Sequence, residues 1–150
     1  MKRHVFFIGI GGIGMSALAK YYIHQGYRVA GYDKTPSAIT KELEGLNVFC
    51  LFEESEALLQ DLYREVPNEL LEVVYTPAVP KNSCNVTYFL NRGLPIKKRS
   101  EVLGQITRNH KTIAIAGTHG KTTTTTLVTH LLKSAGCNIT SFMGGLSANY

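Results

Sequence analysis

The 150 residues carry 44% hydrophobic and 18% charged side chains, a globular composition with enough apolar content for one full core and none of the bias of a disordered chain. The formal net charge of +5 is mild, and the basic residues are scattered apart from "KKR" at 97–99, which argues against nucleic-acid binding. No apolar run approaches membrane-span length, and the one behind the basic N-terminal tip is too short for a signal peptide, so a cytoplasmic protein without membrane insertion is expected.

Short apolar runs alternate with helical patterns along the chain. Residues 5–8 read as a strand and 13–25 as a helix closed by Gly26, a residue suited to a left-handed cap. A second strand follows at 28–32. A short helix at 36–43 has Thr35 as its N-cap, Pro36 at its first position and Gly45 as its stop. A third strand at 48–52 precedes a helix over 55–65 that must finish before Pro67. A fourth strand at 71–75, a helix at 83–92 stopped by Gly93 and a fifth strand at 96–98 come next. Ser100 then caps a helix running to about Arg108. This alternation predicts an α/β fold: a Rossmann-like parallel sheet with helices on both faces.

The polar stretch at 107–111 marks a boundary, giving domains over 1–108 and 109–150. Beyond it the pattern restarts with a strand at 112–116, a loop, a helix at 121–134 capped by Gly136, and a strand at 138–142. On that helix Leu127, Val128, Leu131 and Leu132 are expected to face the core. Cys50, Cys84 and Cys137 are odd in number and widely spaced, with no C-x-x-C pair, which predicts reduced, mostly buried thiols.

Two glycine-rich turns carry the chemistry. In "IGIGGIGMSALA" the glycines Gly9, Gly11 and Gly14 take G-x-G-x-x-G spacing between a strand and a helix. There the turn must be tight, the backbone must approach a diphosphate, and free N–H groups of the helix start must point at it. Asp33, at the end of the second strand, stands where dinucleotide enzymes place a ribose-binding acid, or is a turn residue before Thr35. Alone, this half reads as an NAD-binding domain.

The second turn, "GTHGKTT", also joins a strand to a helix. Lys121 can reach β- and γ-phosphates, Thr122 can offer a hydroxyl to Mg2+, and backbone N–H groups from Thr118 to Thr122 can cradle phosphate oxygens. The loop is tighter than the standard phosphate loop, with Gly117 as its first glycine. Thr122 and Thr123 lie close enough to act, whereas Thr124, Thr125 and Thr126 pack or back-bond within the helix. His119 is within reach of a nucleotide, although a lone loop histidine is more often incidental.

Both turns, in this order, resemble the Mur ligase family. The resemblance rests on "FIGIGGIGMSALA" (7–19), "GYD" (31–33), "VVYTPAVP" (73–80), "KRSEVLG" (98–104), "AIAGTHGKTTTT" (114–125) and "GG" (144–145), and covers essentially the whole chain. It is closest to the branch of peptidoglycan synthesis that joins L-alanine to UDP-N-acetylmuramate.

The resemblance implies that 1–108 is a Rossmann-like domain binding UDP-N-acetylmuramate rather than NAD. Amides of Gly11, Gly12, Ile13, Gly14 and Met15 would hold the diphosphate, with Asp33 and Thr76 near the uridine. Pro77 stands where many relatives have the second serine of a pair. Arg99 matches the family's R-x-E arginine, for which the resemblance suggests a ligand or interdomain role and a solvated strand end is the plain alternative.

Residues 109–150 would open an ATP-binding domain, with Gly117, Thr118, His119, Gly120, Lys121, Thr122 and Thr123 on the nucleotide. Lys121 and Thr122 would have catalytic roles, Thr122 on Mg2+. In the implied reaction ATP phosphorylates the sugar's carboxylate, and the amine of L-alanine attacks the resulting acyl phosphate. The central domain being incomplete, this chain is expected to bind UDP-sugar without ligating, and to self-associate through 110–150. Three alternatives stand beside this reading: an NAD-dependent oxidoreductase, a non-catalytic nucleotide-sensing module, and the sister ligase that recycles a tripeptide.

Overall fold

The computed structural model describes residues 2–80 and 82–145. Its first strand, His4–Ile8 (β1), is apolar from Val5 to Ile8 with each of those side chains fully buried, the pattern of a strand covered on both faces. It pairs in parallel with Arg28–Tyr32 (β2) and with Leu71–Tyr75 (β4). Phe49–Leu51 (β3) lies outside β2, and Ile96–Lys98 (β5) outside β4, giving the order β3-β2-β1-β4-β5.

The two-residue period of β1 divides the core. Val5 and Phe7 pack with Met15 and Leu18 of helix α1 (Ile13–His24), Leu43 of α2 (Ala38–Gly45) and Val102 of α5 (Arg99–Arg108). Phe6 and Ile8 face the other way, onto Leu59 and Tyr63 of α3 (Glu56–Tyr63) and Val86 and Phe89 of α4 (Cys84–Asn91). The expected α/β sheet with helices on both faces is present.

Two helix starts differ from expectation. Ser37, not Thr35, caps α2: its Oγ accepts the Thr40 N–H at 3.2 Å, while Thr40 Oγ1 accepts the Ser37 N–H at 2.9 Å. This reciprocal box needs partners three residues apart, which Ser37 and Thr40 provide. The left-handed residue after the helix is Asn47 (φ 62°) rather than Gly45. Helix α5 starts at Arg99, because Glu101 Oε2 accepts the Lys98 N–H at 2.7 Å and places Ser100 inside the first turn.

Beyond residue 110 the helix α6 (Lys121–Ser134) forms as predicted, but the strands expected at 112–116 and 138–142 do not. Neither stretch belongs to a sheet among the described residues. An isolated parallel pair would have few ladder bonds and a solvated outer edge, too little to hold it. The packing of α6 departs accordingly. Thr129 is its buried residue, whereas Leu127 and Leu131 are 59% and 67% exposed.

The three cysteines are free, and Cys137 is exposed rather than buried. Burial, with Glu44 and Asp33 adding to it, pushes the Cys50 thiol up to about 11. Among the described residues no helix is long and apolar enough to cross a membrane.

Candidate functional site

The chain reverses direction across the sheet between β1 and β4, where a doubly wound fold opens a crevice at the carboxyl ends of its strands. A cavity of about 910 Å³ lies there. Both glycine-rich turns line it, Gly9, Gly12 and Gly14 from the first and Lys121 and Thr122 from the second. Phe142 closes the gap between the two halves of the chain, packing on the α1 side of the core with its ring 5.8 Å from that of Tyr21.

In the first turn Gly9 adopts φ 90°, and the Tyr32 carbonyl accepts the N–H groups of Gly9 (2.7 Å) and Ile10 (3.0 Å). The turn is thereby locked to the end of β2. The Gly12 carbonyl accepts the Met15 and Ser16 N–H groups at 3.0 and 2.8 Å, so α1 begins immediately after the glycines. No acidic residue occupies its first turn.

Asp33 turns inward onto this loop. Its Oδ2 accepts the Gly11 N–H at 2.8 Å, and its Oδ1 accepts the Thr35 N–H at 3.2 Å. Of the five amides singled out in the sequence, Gly11 is thus engaged by a carboxylate and Met15 by the helix turn. Gly12 makes a long contact of 3.4 Å to the Gly9 carbonyl. Ile13 and Gly14 have no protein acceptor among the described residues, and their N–H groups remain for an anion.

Thr76 follows β4, its N–H donating to the Ile8 carbonyl at 3.3 Å, and lines the cavity with Val79 and Pro80. Tyr32, Asp33, Lys34 and Glu54 line the cavity too. Burial, then Glu54 and Asp33, raises the Tyr32 hydroxyl above its ordinary range, so it stays a neutral phenol. Glu54 was not foreseen from sequence. It accepts Ser83 Oγ at 2.6 Å and the Cys84 N–H at 2.7 Å, capping α4 from thirty residues away. A single acid after a short strand carries no local signal for such a role.

The second turn holds Gly117 at φ 155° and Gly120 at φ 76°, the latter a left-handed residue that starts α6. Lys121 Nζ donates to the carbonyls of Gly117 (2.5 Å) and Thr118 (3.1 Å), folding back over its own loop. Thr125 and Thr126 back-bond to the carbonyls of Lys121 and Thr122, as expected for the inner threonines. Thr122, Thr123 and His119 are exposed. Gly144 and Gly145 come close to Thr122, since a Cβ added to either would meet its side chain at 3.8 and 3.2 Å. Among the described residues no cluster of three or more His, Cys, Asp or Glu could hold a metal ion.

A family model described as Mur ligase family, catalytic domain, matches residues 4–111. The chain is 49% identical over 150 residues to the UDP-N-acetylmuramate–L-alanine ligase of Phocaeicola vulgatus, covering 99% of this chain and 32% of that one. To the same enzyme of Parabacteroides distasonis it is 46% identical over 146 residues, covering 97% and 31%. Among solved structures, the UDP-N-acetylmuramate–alanine ligase of Thermotoga maritima superposes with a TM-score of 0.83 at 32% identity, covering 97% of this chain and 33% of that one. A UDP-N-acetylmuramate:L-alanyl-gamma-D-glutamyl-meso-diaminopimelate ligase from Neisseria meningitides gives 0.84 at 28% identity, covering 100% and 45%. The chain spans about a third of the length of the curated relatives it matches.

Proposed function

Because the chain belongs to the Mur ligase family, we propose that it is the sugar-nucleotide-binding part of a UDP-N-acetylmuramate–L-alanine ligase, with the opening of its ATP-binding part. One observation carries the reading: a single cleft is lined by two glycine turns, each at a helix start, so two phosphorylated ligands can meet in it. An NAD-dependent oxidoreductase would leave the Gly117–Lys121 turn without a use. The recycling ligase has the same fold, and the higher identity to alanine-adding relatives favours the alanine enzyme.

In this reading α1 receives the diphosphate of UDP-N-acetylmuramate at its N-terminus, with Asp33 and Thr76 toward the uridine. ATP supplies the phosphoryl group that makes the sugar's carboxylate an electrophile for the amine of L-alanine. Lys121 exchanges its two loop carbonyls for phosphate oxygens, a swap of neutral acceptors for anionic ones that favours the charged ligand. The exposed Thr122 hydroxyl would hold Mg2+, which would spread the charge that builds on the transferring phosphoryl group.

Thermal-shift measurements with UDP-N-acetylmuramate, NAD and ATP test the assignment. Stabilisation by the UDP-sugar, little response to ATP and no ATP turnover are expected of this chain. Stabilisation by NAD alone would overturn the ligase reading, and detectable ATP hydrolysis would overturn the division of labour between the two parts.

A further inference from the structure

In nucleotide-binding turns the third glycine ordinarily lets the helix pack closely on its strand. Gly14 has different neighbours. A Cβ built on it would lie 2.9 Å from Nη1, 3.1 Å from Cζ and 3.2 Å from Cδ of Arg99, and these are its three nearest atoms. Arg99 is the first residue of α5 and lines the same cavity. The two helices touch there, and Val102 of α5 is buried beside Met15 and Leu18 of α1, which fixes the backbone carrying the arginine. No ion pair or hydrogen bond engages the guanidinium among the described residues. Its nearest acid in sequence, Glu101, is occupied by the Lys98 N–H.

We propose that Arg99 is the cationic partner of the diphosphate received by α1, and that position 14 is glycine to let its guanidinium lie across the helix start. The inference deepens the sugar-nucleotide reading and rests on it. With the Gly11 amide held by Asp33, the turn offers the Ile13 and Gly14 amides, too few donors for two phosphates. A planar guanidinium over Gly14 adds several more in a fork that matches phosphate oxygens. Asp33 and Glu54 line the same cavity and repel anions, which favours Arg99 over the acids as the place for a diphosphate.

Titration calorimetry of the 150-residue chain with UDP, paired with ligand-observed NMR of uridine, tests this. Arg99→Gln should weaken UDP roughly 10- to 100-fold and leave uridine unchanged, and Arg99→Lys should fall between. Gly14→Ala should weaken UDP similarly, yet add less than about two-fold when Arg99 is already Gln, because the methyl then has no guanidinium to displace. UDP binding by Arg99→Gln at the wild-type level, or equal losses of UDP and uridine, would overturn the role of Arg99. Equal costs of Gly14→Ala in both backgrounds would overturn the reason given for the glycine. Failure of the unaltered chain to bind UDP would overturn the sugar-nucleotide reading itself, and this inference with it.

Discussion

Gly9 answers two demands at once. Its φ of 90° is a conformation that side chains rarely adopt, and an added Cβ would come within 2.5 Å of Thr76 Cγ2 and 3.3 Å of Val79 Cγ2. Gly9→Ala should therefore destabilise by about 1–3 kcal/mol, lowering the melting temperature by several degrees. Thr76→Ser in the Gly9→Ala background should restore part of this, since it removes the methyl that is struck. An unchanged melting temperature would show that the turn relaxes freely. Asp33 works from the other side of the turn. Asp33→Ala removes the acceptors of both the Gly11 and Thr35 amides and should cost about 1–3 kcal/mol in a chemical-denaturation measurement. Asp33→Asn keeps one oxygen for Gly11 and should recover about half. If neither variant lowers the stability, the carboxylate does not hold the loop.

At the scale of elements, the parts legible in sequence were those with a strong local cause. β1 could be read because four consecutive apolar residues buried on both faces leave no other pattern, and α6 because Gly120 and Lys121 mark its start. The starts of α2 and α5 were misplaced because nearby polar residues compete to cap them, and the choice turns on which pairs stand three apart. Asp33 was visible as a candidate, but its bond to Gly11 was not, because that contact exists only once β1 and β2 lie side by side. Glu54 had no signal at all.

Helix α4 shows the same dependence on long-range partners. Glu54 holds its N-terminus, and Arg92 ties its other end to the Tyr63 and Val66 carbonyls and to Asn68. Between these clasps Asn85 is fully buried with both side-chain polar atoms unpartnered. A buried amide without partners is a penalty that a leucine of similar shape does not carry. Asn85→Leu should raise stability by about 1–3 kcal/mol, read from the denaturation midpoint at unchanged slope. A lowered midpoint would mean that the amide is paired in solution.

Across the whole molecule, the two halves differ in how far their apolar surface is used. The sheet domain closes on itself, with β1 wholly buried between helices. The segment beyond 110 leans on it through Phe142, and internally through Thr129, whose Oγ1 donates to Ser141 Oγ at 2.8 Å. Three of its large apolar residues are exposed instead. Leu127 and Leu131, one helical turn apart, form a stripe on α6 that no described residue covers, and Ile113 is 65% exposed. Such a stripe favours association, because joining two copies removes the leucines from water at about 25 cal/mol per Å². Sedimentation velocity should show the weight-average coefficient rising with concentration, and Leu127→Glu with Leu131→Glu should abolish the rise. Because neither leucine is buried within the chain, the double variant should melt at the wild-type temperature and bind UDP unchanged. A monomer at every concentration would show that the stripe is too narrow to pair, and a fall in melting temperature would show that these leucines already have cover within the chain.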